Sequence, residues 1–336
     1  MCHKQPLVNI SQAKLFAYKI PFKRTMQFQA FQLDHREGLI LQLIDNEGGK
    51  YLSEIAPLPG FSKETFTDVK TEMINMLATK WCQLAKYNSH YKSIQFALDS
   101  LFINCGKKVK TQQAEVDNIP LLQGDKISIE AQYKNLGQVN LIKLKVAREC
   151  VDSDIAVFNM LCQLNPLLKI RCDANQAWSK QQAASFFSAI NTQQLDYIEE
   201  PTCNHQTNLA LAEQYNVYLG LDETLQNSDF CYQHHHSIKA FIIKPTLIGH
   251  LKKIDQLVSI AQKYGLMLSF SSSFESVIGL QALKNLASYY IAQPKSQALV
   301  ISLGIDTLKY FDSTMLIDAQ KMEQDCQQLE LLWTSH

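Results

Sequence analysis

The spacing of hydrophobic residues divides this 336-residue chain into two parts near residue 110. In the first part, apolar runs over residues 8–20 and 38–54 predict strands. Apolar residues then recur at helical spacing after Ser62, a predicted N-cap, and again over residues 90–104. Residues 1–110 therefore predict an α+β unit in which an antiparallel sheet is followed by helices.

From about residue 120, short apolar runs alternate with longer helical stretches. The predicted strands are 139–146, 167–173, 195–200, 217–222, 239–244, 266–271 and 298–302. The charged residues that end the first five strands are 22 to 28 positions apart, about the length of one βα unit of a parallel barrel. An open doubly wound sheet would usually carry a glycine-rich phosphate turn, and the sequence contains none. The pattern predicts an α/β barrel of the TIM type with one irregular or missing unit.

Charge and composition narrow the class of protein. Lys plus Arg number 32 and Asp plus Glu number 32, so the formal net charge is zero. Nucleic acids and anionic membranes select for excess positive charge, so neither is expected as a partner. No apolar run approaches the roughly 20 residues that span a bilayer, and the first residues lack the apolar stretch of a signal peptide. A cytoplasmic enzyme with a small-molecule substrate is the expectation.

Cysteines and histidines offer little further chemistry. Nine cysteines are scattered along the chain without a Cys-x-x-Cys motif, which favours mostly reduced, buried thiols over a disulfide framework. The run His234-His235-His236 is the one cluster typical of a metal site. Three adjacent histidines cannot all face one way on a helix or strand, so a polar surface turn is the favoured interpretation.

Charged residues end five successive predicted strands, at the rim where barrel enzymes build their active sites. Lys143 and Lys145 come first, and residues two apart on a strand point to the same side, so their ammonium groups project together. Each positive charge lowers the proton affinity of the other, which suits a lysine that acts as a base near neutral pH. Both lysines are therefore candidate catalytic residues.

Three acidic residues, Asp173, Glu199 and Asp222, end the next three strands, and their carboxylates are expected to converge in the barrel mouth. Three bare carboxylates would repel one another strongly, and a divalent cation would relieve that repulsion. Ligation by oxygen alone favours Mg²⁺, with Mn²⁺ as a substitute, over zinc. The alternative is three surface carboxylates paired with lysines. Lys244 ends the following strand and is expected across the mouth from the lysine pair.

A base, a three-carboxylate metal site and a second lysine together fit removal of a proton next to a carboxylate. Such a proton is weakly acidic, because the resulting anion places more charge on an already charged group. A metal ion on the carboxylate oxygens stabilises this enediolate. A positioned lysine base adds a factor of about 10²–10⁴.

With this arrangement the sequence resembles the enolase superfamily, in its muconate-lactonizing-enzyme-like subgroup. That subgroup carries Lys-x-Lys on the second barrel strand, Asp, Glu and Asp on the next three, and Lys on the sixth. The resemblance implies that Lys145 is the base, Lys143 its neighbour and Lys244 the opposing lysine. It also implies that the magnesium ligands are Asp173, Glu199 and Asp222.

The same resemblance implies a modified (β/α)7β barrel of the TIM type with an α+β capping domain. The capping domain would occupy residues 1–110 and the barrel residues 111–310. Residues 311–336 would pack back on the capping domain. Residues 21–36 would form a flexible lid loop over the barrel mouth.

Longer strings resemble the o-succinylbenzoate synthases, a family within this subgroup. The strings are EIAPLPGFSKET (54–65), RCDANQAW (171–178), EEPTC (199–203), LDETL (221–225), IKPTLIG (243–249), SSSFESVIGL (271–280) and LGIDTL (303–308). This resemblance implies a magnesium-dependent dehydration of 2-succinyl-6-hydroxy-2,4-cyclohexadiene-1-carboxylate to 2-succinylbenzoate in menaquinone biosynthesis. Lys145 would remove the proton α to the ring carboxylate, and Lys244 would lie against the ring face.

Five further rim residues are candidates for binding the substrate: Arg171, Asn175, Ser271, Ser272 and Gly304. The serines either hold a substrate carboxylate or cap the next helix. The arginine either orients a carboxylate or pairs with a metal ligand, and the asparagine follows the first acid by two residues. The glycine either permits close approach of the backbone to the substrate or is an ordinary turn glycine.

Two alternatives remain open. An N-acylamino acid racemase or dipeptide epimerase of the same superfamily also places lysines on opposite faces of a substrate. The strings SSSFES and PLPGFS favour the synthase. A non-catalytic binding protein that keeps the barrel is disfavoured, because six buried charges without a function would be costly. The oligomeric state stays open.

Overall fold

The chain begins with an antiparallel sheet that is apolar on one face. The structure, a computed structural model, describes residues 10–106, 116–227, 229–293, 299–312 and 329–335. The strands of this sheet are β1 (Ile10–Phe28), β2 (Phe31–Asp45), β3 (Lys50–Ile55) and β12 (Leu329–Thr334). They lie in the order β12-β1-β2-β3, so the last strand of the chain pairs with the first. The predicted domain boundaries at residues 110 and 311 stay predictions.

Two helices cover the apolar face of this sheet, α1 (Phe66–Lys80) and α2 (Lys92–Gly106), with a 3₁₀ segment (Trp81–Lys86) between them. Helix α1 begins one turn later than predicted. Its N-cap is Thr65, whose hydroxyl accepts the N–H of Asp68 at 3.2 Å while the Asp68 carboxylate accepts the N–H of Thr65 at 2.8 Å. Ser62 instead accepts the N–H of Leu58 at 2.9 Å, so its prediction as the N-cap was wrong.

Residues 21–36 form a β-hairpin, so the predicted loop conformation was wrong; the role of this segment as a lid over the barrel mouth stays a prediction. The pairing of β1 with β2 continues to the tip of the hairpin, with one irregularity in register. Aromatic side chains hold it against the barrel: Phe22 stacks on Phe311 with 4.8 Å between ring centroids, and Phe28 meets Phe274 edge-on at 4.9 Å. The loop was predicted from the family resemblance alone, and the exposed run 23–25 interrupts the alternation of buried and exposed residues that would have indicated a strand.

Eight parallel strands form the barrel, and their order around it follows their order along the chain. They are β4 (Leu121–Leu122), β5 (Leu141–Lys145), β6 (Lys169–Asp173), β7 (Leu195–Glu199), β8 (Leu219–Leu221), β9 (Ile238–Ile243), β10 (Met267–Ser271) and β11 (Ile301–Gly304). The barrel closes where the backbone of residues 117–119 meets Leu303 through two hydrogen bonds of 2.9 Å.

Helices connect the successive barrel strands and cover their outer surface. They are α3 (Lys126–Asn135), α4 (Val151–Leu164), α5 (Lys180–Ala189), α6 (His205–Tyr215), α7 (Glu223–Gln226), α8 (Pro245–Ile248), α9 (Leu251–Tyr264) and α10 (Val277–Ile291). This architecture confirms the predicted TIM-type barrel with its separate antiparallel unit. Strand β4 was missed because two residues are too few to show a hydrophobic period.

A buried carboxylate on β3 joins the antiparallel sheet to the barrel. Glu54 accepts the backbone N–H groups of Ser276 at 2.9 Å and Gly279 at 2.7 Å, at the start of α10. It also accepts the hydroxyl groups of Ser276 and Tyr18. The first turn of a helix carries unpaired N–H groups and a partial positive charge, so a carboxylate there is stabilising.

The substitution Glu54→Gln is expected to lower the free energy of unfolding by about 2–4 kcal/mol. The amide keeps one acceptor oxygen but turns an NH₂ group toward the N–H donors of α10, so charge-assisted hydrogen bonds are lost. Urea denaturation followed by circular dichroism measures the effect. Glu37→Gln, at a solvent-accessible position on β2, is the control and should change that energy by less than about 0.5 kcal/mol. Equal losses in both variants would contradict this role of Glu54.

Two further sequence expectations concern membranes and cysteines. Among the residues that the structure describes, no helix has the length and apolar character that a membrane span requires. The cysteines whose side chains are described are free thiols: Cys150, Cys162, Cys172, Cys203 and Cys231. Cys172 is buried as predicted, but Cys150, Cys203 and Cys231 are exposed, so the predicted burial was wrong for these three.

Candidate active site

A cavity of about 520 Å³ opens at the C-terminal ends of the barrel strands. The barrel contributes its polar wall, which includes Lys143, Lys145, Asp173, Asn175 and Lys244. The antiparallel sheet and the loop after it cover the cavity with Gln27, Phe28, Leu58 and Phe61. A concave, largely apolar site with a few convergent polar groups is typical of small-molecule binding.

Three carboxylates converge at this mouth, where the adjacent strands β6, β7 and β8 end. Oxygen atoms of Asp173, Glu199 and Asp222 all lie within 4.8 Å of one another, and each residue is only 1% exposed. Burial raises the pKa of Glu199 to about 8; Lys143 opposes this rise, and the charges of the other two acids add to it. A divalent cation would relieve such repulsion, and a ligand set made only of carboxylate oxygens fits Mg²⁺.

Three lysines face these acids. Lys143 and Lys145 project together from β5, and each ammonium nitrogen lies 2.7 Å from Oδ2 of Asp173. Lys244 binds Asp222 from the end of β9, which is four strands further around the barrel and therefore across the mouth. The three side chains are only 11–15% exposed. The structure thus gathers all six predicted catalytic and metal-ligating residues.

The electrostatic surroundings shift the pKa values of the three lysines in different directions. Burial lowers the pKa of Lys145; Asp173 opposes this shift, but the charges of Lys143 and Lys244 add to it. Burial also disfavours the charged form of Lys143, but the neighbouring carboxylates outweigh it and hold the pKa of Lys143 well above its usual range. Burial likewise disfavours the charged form of Lys244, but the charges of Asp222, Glu223 and Asp173 together outweigh it and raise the pKa of Lys244. Lys145 is therefore the lysine that gives up its proton most readily, and the other two remain cations.

Asn175 is bound to the candidate base rather than left open for a substrate. Its Oδ1 accepts a hydrogen bond from Lys145 Nζ, and its Nδ2 donates to Glu223 Oε1 at 3.0 Å. Its backbone has φ 44°, in the left-handed region that asparagine tolerates better than most residues. Asn175 lines the cavity, so the structure brings it to the site in a position to orient Lys145.

Arg171 is not brought to the cavity. It lies on the same face of β6 as Asp173 but two residues earlier, one layer deeper in the barrel. Its guanidinium donates to Asp196 at 2.8 Å and to Ser302 at 2.9 Å, and it lies 4.9 Å from the ring centre of Tyr197. These contacts give Arg171 a structural role in the barrel interior instead of the predicted contact with a substrate.

Ser271, Ser272 and Gly304 line the cavity where β10 and β11 end. The Ser272 hydroxyl donates to Glu275 at 2.7 Å, so its hydrogen is already engaged. A Cβ on Gly304 would stand 2.6 Å from the Ser271 hydroxyl oxygen. The glycine therefore permits the two strands to approach closely at the rim.

Phe61 and Arg148 are among the cavity residues that the sequence reasoning missed. Phe61 reaches over from the loop after β3, and its ring centre lies 6.0 Å from Lys244 Nζ. Arg148 follows β5 and lines the cavity beside the lysine pair. Because Arg148 follows Lys145 by only three residues, the sequence could have indicated that Arg148 lies near the same end of the barrel. No local pattern shows that Phe61 meets the barrel, because this depends on how the antiparallel sheet sits on it.

The histidine run lies before β9, at the opposite end of the barrel. His234 stacks on a tyrosine ring, while His235 and His236 stack on each other and lie beside Glu213. The backbone N–H of Ser237 donates to His235 Nδ1, so the neutral ring carries its proton on Nε2, the atom that faces Glu213 at 3.2 Å. This hydrogen-bonded arrangement agrees with the predicted polar turn.

Two family models match the chain. Residues 10–104 match the MenC N-terminal domain, and residues 128–320 match the enolase C-terminal domain-like model. The second match alone covers more than half of the chain. The chain therefore belongs to the enolase superfamily, whose enzymes use a divalent metal, and it is a metal-dependent lyase of the hydro-lyase class.

Curated relatives of the chain are o-succinylbenzoate synthases. The enzyme of Haemophilus influenzae is 29% identical over 311 residues, which are 90% of this chain and 91% of the relative. The enzyme of Aliivibrio fischeri is 28% identical over 306 residues, which are 89% of this chain and 91% of the relative. These matches confirm the predicted resemblance to this family.

Solved structures share the fold. The o-succinylbenzoate synthase of Thermosynechococcus elongatus, complexed with Mg in the active site, is 20% identical with a TM-score of 0.69, over 93% of this chain and 98% of that one. The dipeptide epimerase of Enterococcus faecalis, complexed with Mg and the dipeptide L-Leu-L-Tyr, is 19% identical with a TM-score of 0.72, over 91% of this chain and 92% of that one. At these identities the likeness shows the barrel and its capping unit alone.

Proposed function

We propose that this chain is an o-succinylbenzoate synthase that works in the cytoplasm, in menaquinone biosynthesis. It would dehydrate 2-succinyl-6-hydroxy-2,4-cyclohexadiene-1-carboxylate to 2-succinylbenzoate. The observation that carries the proposal is the position of Lys145, a lysine of lowered pKa, beside three converging carboxylates in a cavity of substrate size. The curated relatives support the choice of substrate.

The donor set of Asp173, Glu199 and Asp222 would hold Mg²⁺, with Mn²⁺ as a substitute. The close approach of their oxygens and the raised pKa of Glu199 support this, since both reflect the mutual repulsion and burial of acids whose negative charge a dication would stabilise. When bound, the ion would stabilise the negative charge that develops on the substrate carboxylate.

Lys145 would carry the proton through both steps. Its neutral amine takes the proton α to the ring carboxylate, and the C–H electron pair moves toward that carboxylate. When the pair returns, the bond to the 6-hydroxyl breaks, and the Lys145 ammonium gives its proton to the leaving oxygen to form water. The ring becomes aromatic, which makes the second step strongly favourable.

Lys143 and Lys244 would act as fixed cations. Lys143 binds Asp173 and Glu199, so it holds both acids and opposes protonation of Lys145 by its charge. Lys244 stands across the mouth with Phe61 above it, where an ammonium group can face the flat side of a ring. Water is kept from the ring by the apolar cover of Phe28, Leu58 and Phe61.

An assay with two substrate classes tests this function. The purified protein with Mg²⁺ is incubated with the cyclohexadiene carboxylate, and ultraviolet absorbance follows formation of the aromatic product. In parallel, N-acylamino acids and dipeptides are followed by optical rotation. We expect aromatisation to exceed racemisation in kcat/KM. Racemisation without aromatisation would overturn the proposal in favour of an epimerase, which Lys145 and Lys244 on opposite sides of the cavity would also suit.

The substitution Asn175→Ala is expected to lower kcat about tenfold, with a smaller change in KM. It removes the acceptor that orients Lys145 and leaves the three acids and their lysine partners in place. Steady-state kinetics measures the change. Thr207→Ala on the outer helix α6 is a control for general effects of substitution. A rise in KM at constant kcat would show that Asn175 binds substrate instead.

A further inference from the structure

Four cationic side chains line the cavity among the residues that the structure describes, and three of them are paired with carboxylates. Lys143 and Lys145 bind Asp173, and Lys244 binds Asp222. The fourth cation is Arg148. Within the described part of the chain its guanidinium makes no hydrogen bond and no ion pair. It is therefore the cavity cation that is available to a ligand.

The backbone before Arg148 is held in an uncommon conformation. Ala147 has φ 62°, in the left-handed region that a side chain with a Cβ adopts at a cost. Its N–H donates to the carboxylate of Asp154 at 2.9 Å, which ties the turn to helix α4. Arg148 follows this turn directly and lines the cavity.

The charges around Arg148 favour an anion there. Arg148 is an exposed residue at the open side of the cavity, and the protein atoms around its guanidinium still lower the pKa of that group; Asp173 and Tyr310 oppose this shift, and the positive charge of Arg24 on the covering hairpin adds to it. A cation that has no carboxylate partner and lies near a second cation gains from a negative ligand. The three acids and three lysines of the metal site cancel in formal charge, so a dication and Arg148 leave the cavity positive and suited to a ligand with more than one negative charge.

We propose that Arg148 binds the second, distal carboxylate of a dicarboxylate substrate, while the first carboxylate faces the metal site. The identification of this group as the succinyl carboxylate rests on the proposed function. Of the predicted candidates for this group, Ser272 is less suited, because its hydroxyl hydrogen is engaged by Glu275. Arg148 would thus select dicarboxylates over monocarboxylates of the same shape.

Equilibrium binding tests this selection without turnover. Isothermal titration calorimetry compares 2-succinylbenzoate with its analogue in which the succinyl carboxylate is a carboxamide, on the Mg²⁺-loaded protein. We expect the parent to prefer the dicarboxylate by about 10–100-fold. Arg148→Met should remove most of this preference and leave affinity for the carboxamide within about twofold. Arg148→Lys should keep part of this preference, because the positive charge remains while the paired N–H donors of the guanidinium are lost.

The control is Lys134→Met, which removes an exposed cation paired with Glu130 on helix α3, away from the cavity. It should keep the full preference, and thermal unfolding should give similar midpoints for all variants. Equal weakening of both ligands in Arg148→Met, or an unchanged preference, would overturn the inference. A parent that shows the Arg148-dependent preference but forms no aromatic product would overturn the proposed function and leave the subsite standing.

Discussion

Replacing Lys145 by alanine is expected to lower kcat for dehydration by at least about 10³-fold. The variant loses the only amine in the cavity whose surroundings lower its pKa, and no other group among the described residues stands in its place. Asp173 keeps Lys143 at 2.7 Å, so the buried acid stays paired and the protein should fold. Absorbance of the aromatic product measures the loss, and circular dichroism checks the fold.

Lys244→Ala is the matched comparison for this variant. In a dehydration that uses one base, Lys244 serves as a cation, so its loss should cost less than the loss of Lys145. In an epimerase that works from both faces, the two substitutions should be equally damaging. A Lys145→Ala protein that is as active as the parent would remove the basis of the mechanism and would favour a non-catalytic barrel.

The substitution Glu199→Gln is expected to weaken Mg²⁺ binding by more than about 100-fold and to lower activity with it. Glutamine has nearly the same shape but does not bring the negative charge of a carboxylate ligand. Because burial disfavours the charge on Glu199, we expect the fold to accept a neutral amide of the same shape at this position. Calorimetric titration with Mg²⁺ measures the affinity directly and does not depend on turnover.

The neighbouring residue supplies the control. Glu200 is also buried, but its Oε1 accepts the N–H groups of Asp222 and Thr224, both at 3.0 Å, and so holds the turn after β8. An amide oxygen can accept the same two bonds, so Glu200→Gln should change Mg²⁺ affinity by less than about tenfold. If Glu200→Gln lost the metal and Glu199→Gln retained it, the assignment of ligands would be reversed.

The direction of side chains along a strand explains why the charged residues of the site were predicted correctly. Lys143 and Lys145 meet the same acid because residues two apart share a face, and this period belongs to any strand. Asp173 and Glu199 converge because the ends of neighbouring parallel strands lie at one edge, whatever their distance along the chain.

The same rule, that residues two apart on a strand share a face, led to a wrong prediction for Arg171. Its position two residues before Asp173 put it on the correct face, but the period of a strand says nothing about depth. In the barrel, two residues separate the open mouth from the closed interior, where Asp196 and Ser302 bind the guanidinium. Depth is decided by how far each strand is shifted against its neighbours, and this shift is a property of the closed barrel.

The sequence by itself determined the class of the fold, the six charged residues at the strand ends and the chemistry that they suit. Local periods and strand ends carry that information, because short-range geometry sets them. The tertiary structure alone decided that residues 21–36 pair as a hairpin, that Phe61 covers the cavity and that Glu54 binds the start of α10. These features depend on contacts between the antiparallel sheet and the barrel, which are remote along the chain and leave no periodic trace in it.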